Sequence, residues 1–477
     1  MKNVFVVGAG PAGLFAAQKI AQAGHQVFVF NRDIKPGGLA EYGIYPLKEK
    51  MKGGLRRQFA KVLALGNVHY FGNVKVGAAY DVTLDDLARM APSAIVFACG
   101  AQGYNRLSLP GEESRGVYSA KDFVYHYNQL PPYATEDFST GKRIAVIGMG
   151  NVALDIARWL LVDSPTRQAD EVTIIARRGP YEAKFDEKEM AHVETHLDHG
   201  AFAHELGRIH ARCAACGQDV SLEKISHATF PALQREGNAG TLPKLTFRFL
   251  SSPREIVRDA TGRIRQLIVT ENDLVLRSDG STGAKATDRT AAIDVDTLIF
   301  AIGEKHDPGL GLPMGADGFS TKADARHPET PVYEIWDPSA EKPIESFYVA
   351  GWARRASTGL AGIARHDGEN AAARIIQYLD TLPDKPLLCA DEVQAILEGK
   401  GITVVNKDDL LLLDTAAERE AQRRNLPYFK YSSNPGMLNV IAEEKRTLAA
   451  TQSSAGWNRL AGHSAEAEIP EPALSSR

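Results

Sequence analysis

Two short glycine clusters are the residues of this chain whose spacing most clearly implies chemistry. The first, Gly8-Ala-Gly10-Pro-Ala-Gly13, follows the apolar run Val4 to Val7. The second, Gly148-Met-Gly150-Asn151-Val152-Ala153, follows Ile144 to Ile147 about 140 residues later. Each apolar run reads as a strand, and each cluster opens an amphipathic helix. The first glycine permits a tight turn, the second lets backbone N–H groups approach a pyrophosphate, and the third position keeps helix and strand close. The helix N-terminus adds partial positive charge facing the phosphates. One such cluster is weak evidence. Two in strand–turn–helix context imply two dinucleotides held in one protein, a device for electron transfer.

The strand after each helix says which dinucleotide. The first, Val27 to Phe30, ends at Asn31, where flavin-binding proteins usually carry a glutamate for both ribose hydroxyls of the adenosine. Asparagine offers one acceptor oxygen, so Asp33 is a candidate deputy, and Asn31→Glu is expected to keep or tighten binding. The second, residues 171–176, ends in Arg177-Arg178, and arginines suit a 2′-phosphate, which favours NADPH over NADH. Further loops complete the frame: Gly37-Gly38-Leu39, the small turn Cys99-Gly100-Ala101, and Gly351-Trp352 followed by Ser357-Thr358-Gly359-Leu360. The helix predicted from Thr358 to about Leu379 can aim its N-terminus at the flavin edge where negative charge builds on reduction. Strand-like alternation spans 244–270 and 293–300, and helices are predicted near 390–399 and 415–424.

Composition narrows the class. The chain has 477 residues, room for two or three domains, and a net charge of −4, which disfavours nucleic acid as a partner. No apolar run reaches the ~20 residues that span a bilayer, and Val4 to Val7 enters the glycine cluster directly, as a core strand does and a signal peptide does not. Four cysteines fit a reducing cytoplasm. Cys213-Ala-Ala-Cys216 could be a dithiol or half of a zinc site with His204, His210 or His227. No second such pair exists, so no metal and no redox role are expected. Between Lys48 and Lys61 lie six basic residues and one acidic one, a solvated helix face or a docking surface for an acidic carrier (Lys48, Lys50, Lys52, Arg56, Arg57, Lys61). The last stretch, 451–477, is rich in Ala, Ser, Glu and Pro and is predicted to be disordered.

The combination resembles the adrenodoxin reductase type of ferredoxin–NADP reductase, related to the small subunit of glutamate synthase. The matching residues are Gly148 through Asp155, Arg177-Arg178-Gly179-Pro180 with Phe185 and Lys188-Glu189-Met190, the segment Gly116-Val-Tyr-Ser-Ala, and Gly351-Trp352 with Thr358-Gly359. The stretch from Gly401 to Arg424 resembles the family's C-terminal part, whereas Asn31, Cys99 and the Cys213–Cys216 region depart from it. The resemblance implies an α/β fold of two Rossmann-like domains, the NADP domain inserted in the FAD domain. The expected division is 1–105 and 331–450 for FAD and 106–330 for NADP. It implies FAD contacts at Gly8, Gly10, Gly13, Leu39, Gly351, Trp352, Thr358, Gly359 and Leu360, with Asn31 provisional. It implies NADP(H) contacts at Gly148, Gly150, Asn151, Val152, Arg177, Arg178 and Glu189.

Hydride transfer from nicotinamide to flavin N5 rests on positioning and exclusion of water, so no single decisive catalytic residue is expected. Trp352 and Glu189 are the candidates nearest the reaction. The expected activity is NADPH oxidation coupled to a ferredoxin- or flavodoxin-like carrier. The alternatives are the electron-input subunit of a larger enzyme and a disulfide reductase. The start of the first strand at residue 3 leaves no cluster-binding domain before it, which weighs against the subunit. The surroundings of Cys213–Cys216 weigh against the disulfide reductase.

Overall fold

The structure is a computed structural model describing residues 1–463 apart from 167, 236–239, 241–242, 316–317, 323–330 and 357–360. The chain opens with β1 (Asn3–Val7), α1 (Pro11–Gln22) and β2 (Gln26–Asn31), then α2 (Leu39–Tyr42), α3 (Glu49–Leu63), β3 (Val68–Gly72) and β4 (Ala94–Phe97). A second unit follows: β5 (Val117–Ser119), α4 (Ala120–Tyr127), β6 (Arg143–Ile147), α5 (Asn151–Arg158), β7 (Glu171–Ile175), α6 (Glu187–Met190) and β8 (Lys244–Arg248). Strands β9 (Ser251–Arg258), β10 (Ile264–Leu276) and β11 (Thr282–Asp294) precede β12 (Thr297–Phe300). The chain then returns through β13 (Glu334–Asp337), β14 (Lys342–Val349) and α7 (Ala361–Leu379), and α8 (Lys407–Arg423) follows.

Two parallel sheets organise these elements, as the fold class predicts. The first runs β13-β14-β4-β1-β2-β3 and the second β5-β12-β6-β7-β8. Only β13 is antiparallel within them. All five residues of β1 are buried, the near-continuous apolar pattern of a strand covered on both faces. One face of the first sheet packs Val4, Val6, Val27 and Val29 against Leu14 and Ile20 of α1 and Ala371 and Ile375 of α7. On its other face Phe5, Phe28, Phe30 and Phe71 stack together, with Phe5 and Phe30 edge to face at 5.1 Å. The second sheet has helices on one side and the antiparallel trio β9-β10-β11 on the other, where Ile147 and Ile175 meet Leu267 and Val269.

The chain passes between the sheets twice, and the two passages pair as antiparallel strands, Gly103–Tyr104 beside Glu304–Lys305. The segment between α2 and α3, and α3 itself, also reach across. Tyr45 donates to Asp163 at 2.6 Å, and Lys52 Nζ donates to Asn128 Oδ1 at 2.6 Å. Lys430, beyond α8, contacts Glu41 at 2.6 Å and donates to the Asn128 carbonyl at 3.0 Å, so the C-terminal part fastens both units.

The helix Asn434–His463 extends into the stretch expected to be disordered from residue 451, and 464–477 lie outside the described residues.

Candidate functional site

The two glycine turns are built alike. In the first, Gly8 sits at φ +108, and a Cβ there would lie 2.5 Å from the Ala98 carbonyl oxygen at the end of β4. In the second, Gly148 sits at φ +125, and a Cβ would lie 2.2 Å from the Ala301 carbonyl oxygen just past β12. Each turn is thus wedged against the neighbouring parallel strand, a position only glycine can fill. Gly10 and Gly150, the caps of α1 and α5, have nothing within 4 Å of a built Cβ, so open space lies where a pyrophosphate would approach. The turns differ at the third position: a Cβ on Gly13 would lie 1.9 Å from Gly8 O, whereas Ala153 fills the equivalent place in α5.

Other loops wrap the first turn. Gly37 donates its N–H to Ala9 O at 2.8 Å, and Gly38, at φ +49, would bring a Cβ to 3.3 Å from Gly10 Cα. Leu39 begins α2 directly behind them. Gly351 and Trp352 form a short 3₁₀ turn after β14, with Gly351 at φ +67 and Trp352 half-buried. Asp367 of α7 pins that turn by accepting the Gly351 N–H at 2.6 Å and pairing with Arg354. Gly368 lets α7 cross α1, since a Cβ there would meet the Ala12 carbonyl. Thr358, Gly359 and Leu360 lie outside the described residues.

Asn31, at the end of β2, is 7% exposed and turned inward. Its Oδ1 accepts the Ala9 N–H at 3.0 Å, and its Nδ2 faces Asp33 O at 2.8 Å, Lys35 O at 3.1 Å and Tyr70 Oη at 3.0 Å. A glutamate at this position could not donate to those carbonyls, which removes the physical basis for expecting Asn31→Glu to be benign.

The second turn is more open. Val152 is 43% exposed and Arg177 is exposed, while Arg178 Nη1 donates to Thr282 O at 3.3 Å. The Asn151 amide makes a reciprocal pair with Asp186, donating to Oδ2 at 2.8 Å and accepting the Asp186 N–H at 2.8 Å. This positions α6, and with it Glu189, beside α5. Lys48, which caps α3 in the first unit, reaches Glu189 Oε1 at 2.5 Å. The other oxygen of Glu189 is buried without a hydrogen-bond partner, and so is Asp155 Oδ1. Burial, with Glu189 adding to it and Lys48 and Arg158 opposing, pushes the Asp155 carboxyl up to about 6. A seam carrying two carboxylates and one lysine can hold a proton next to the second glycine turn.

Lys48 was read from the sequence as part of a basic surface, and the structure divides that surface in two. Lys48, Lys52 and Arg56 recur at every fourth position, so they share one helical face, which turns inward. Lys52 is 2% exposed, and burial pushes its ammonium down to about 7. Arg56 pairs with Glu41 at 2.6 Å, contacts Glu49, and lies 3.4 Å over the Tyr428 ring. Lys50, Arg57 and Lys61 remain exposed.

Cys213 is buried in the core of the second unit, and Cys216 donates to Leu274 O at 2.8 Å. Burial pushes the Cys99 thiol up to about 12 and the Cys213 thiol up to about 11, so both are poor nucleophiles.

Comparison with known proteins agrees with the motifs. Residues 2–200 match the pyridine nucleotide-disulphide oxidoreductase family. The chain is 28% identical to the NADPH-ferredoxin reductase FprA of Mycobacterium tuberculosis, over 92% of this chain and 98% of that protein. It is 25% identical to the mitochondrial NADPH:adrenodoxin oxidoreductase of Bos taurus, covering 92% of each. The solved structure of M. tuberculosis FprA in complex with NADPH superposes with a TM-score of 0.76, over 92% of this chain and 99% of that one, at 27% identity. The resemblance read from the motifs therefore extends along most of the chain. Among the described residues, no helix is long and apolar enough to cross a membrane.

Proposed function

We propose that this chain, an oxidoreductase akin to FprA and the adrenodoxin reductases, holds FAD on its first glycine turn and binds NADP(H) on its second. It passes electrons between NADPH and a small ferredoxin- or flavodoxin-like carrier in a reducing cytoplasm. The observation that carries this reading is the pair of glycine turns, each wedged against a parallel strand and each capping a helix beside open space.

The residues present fit FAD: the wrapped turn Gly8, Gly10 and Gly13, the Gly37–Leu39 loop, and the pinned Gly351-Trp352 turn would hold it. FAD, when bound, accepts a hydride at N5 and gives its electrons up one at a time. The protein's part is placement. Gly148 and Gly150 present backbone N–H groups to a pyrophosphate. Arg177 and Arg178 offer charge-assisted donors to a 2′-phosphate. Trp352 supplies a half-buried aromatic plane in the turn after β14, and Glu189, steadied by Lys48, holds a carboxylate beside the second turn. Lys50, Arg57 and Lys61 are the exposed cations of α3 that can steer an acidic carrier.

The purified protein should be yellow, with one FAD per chain, and NADPH should bleach it faster than NADH. It should then reduce a ferredoxin, and charge reversal of Lys50, Arg57 and Lys61 should slow that step most at low salt. A colourless protein that takes up no FAD refutes the reading. If the flavin is reduced by NADPH but no ferredoxin or flavodoxin accepts the electrons, the electron-input subunit becomes the better reading.

A further inference from the structure

The strand end that binds the adenosine ribose in flavoproteins is spent on the protein itself here. Both N–H groups of the Asn31 amide go to Asp33, Lys35 and Tyr70, and its Oδ1 accepts the Ala9 N–H. That arrangement ties the end of β2 to the first glycine turn, because Ala9 lies between Gly8 and Gly10. It leaves no N–H for a ligand, and only 7% of the residue is exposed.

The next two residues carry the charge that Asn31 lacks. Arg32 and Asp33 form a two-pronged pair, Nε to Oδ1 at 2.9 Å and Nη2 to Oδ2 at 3.1 Å. The remaining arm of the guanidinium, Nη1, donates to Gln102 Oε1 at 2.6 Å, and Gln102 Nε2 donates to Cys99 O at 2.7 Å. Lys121 closes the brace by donating to the Gln102 carbonyl. The pair thus bridges the end of β2 to the Cys99–Gln102 turn after β4. Those strands flank β1 on either side, so the pair stands at the mouth of the first glycine turn. The Arg32 side chain keeps 32% of its surface open and Asp33 keeps 16%. Each Asp33 oxygen, engaged once by Arg32, retains a second acceptor position. A carboxylate held rigid with two free acceptor positions matches two adjacent hydroxyls.

We propose that Asp33, oriented by Arg32 and Gln102, accepts the adenosine ribose hydroxyls of FAD, and that Asn31 acts as the clamp of the glycine turn. This rests on the reading that the first turn binds FAD. FMN lacks the adenosine half and therefore separates the two questions.

Flavin affinity of the deflavinated full-length protein is read from quenching of flavin fluorescence. Asp33→Asn should raise the Kd for FAD about ten-fold, the loss of charge-assisted hydrogen bonds, while the Kd for FMN changes less than about two-fold. The parent should discriminate against FAD whose adenosine ribose lacks the 2′-hydroxyl, and Asp33→Asn should lose that discrimination. Gln102→Ala, which leaves the Arg32–Asp33 pair in place, should weaken FAD about three-fold with FMN unchanged. An Asp33→Asn protein that binds FAD like the parent, or still rejects the deoxy analogue, overturns the proposal. Equal losses for FAD and FMN in both variants also overturn it, because the effect is then on folding. A parent that takes up neither flavin refutes the FAD reading instead.

Discussion

The two nucleotide-binding units use the same turn and finish it differently. The first is closed over: the Gly37-Gly38 loop hydrogen-bonds to Ala9, the Gly351 turn is pinned by Asp367, and α7 crosses α1 at Gly368. The second is less covered: Lys184 donates its N–H to Met149 O at 2.9 Å, as Gly37 does to Ala9, and α6 stands beside the turn, but Val152 and Arg177 are exposed. Closure costs freedom of exchange, and openness costs affinity. A wrapped turn suits a cofactor that stays, and an open one suits a substrate that arrives and leaves with every turnover. The same difference appears at the strand ends, where Asn31 is consumed internally and Arg177 is exposed.

The sharpest way to break this comparison is the third position of the motif. Gly13→Ala places a methyl group against Gly8 O, and the first turn cannot widen because β4 already presses on it. A destabilisation of about 3 kcal/mol is expected by overpacking, together with loss of FAD during purification. The mirror change, Ala153→Gly, should cost only about 1 kcal/mol, the ordinary penalty for glycine in a helix, and should leave FAD in place. Melting curves and the ratio of visible to protein absorbance measure both. Equal costs in the two turns would show that the units are not built differently.

The second change tests the open end. Arg177→Ala with Arg178→Ala should raise the KM for NADPH about ten- to a hundred-fold, since a charged hydrogen bond contributes roughly 1.5–3 kcal/mol. The KM for NADH should move much less. If both rise together, the arginines hold the protein and do not read the 2′-phosphate; the Arg178 bond to Thr282 O is the contact to suspect.

Much of the first unit was legible because its rules are local. A tight glycine turn between an apolar strand and a helix has few other readings, and Arg177-Arg178 follows a strand whose register the glycine turn sets. What was missed depends on contacts between distant segments. Asn31 announces a departure in the sequence, but only the fold shows that its amide faces Asp33, Lys35 and Tyr70. Lys48, Lys52 and Arg56 look like surface because they are charged. Their four-residue spacing was the available signal that they share a face, and nothing local says that Glu189, Asn128 and Glu41 would stand opposite. The pairing of Lys48 with Glu189 spans 141 positions. No window along the chain contains it.

That seam gives the third prediction. Asp155 has a folded pKa of about 6 against an ordinary 3.8. The native state therefore binds more protons than the unfolded chain between those values, so stability from this group is present at low pH and is lost as pH rises through about 4 to 6. Asp155→Asn removes that loss. Relative to the parent, the variant should be about 1–2 kcal/mol more stable at pH 8 and no more stable near pH 4, allowing for partial exposure. A benefit that does not depend on pH would mean that the carboxylate is not held protonated by the seam.

The smallest effect is expected at the cysteine pair, which lies in the second unit yet takes no part in its nucleotide turn. Cys213 has no exposed surface and packs with Ile209, Val220 and Leu206, and its thiol is pushed up by burial, with Glu182 adding to the shift. Cys216 spends its S–H on Leu274 O in β10. Cys213→Ala with Cys216→Ser should therefore leave NADPH-driven reduction of a dye within about three-fold of the parent. Stability should fall by about 1–2 kcal/mol, because a small buried group is removed and its cavity only partly collapses. Turnover and melting temperature, measured on one preparation, separate the two effects. Loss of turnover with FAD and stability intact would place a redox step at this pair, and the second unit would then carry chemistry of its own beyond binding the nucleotide.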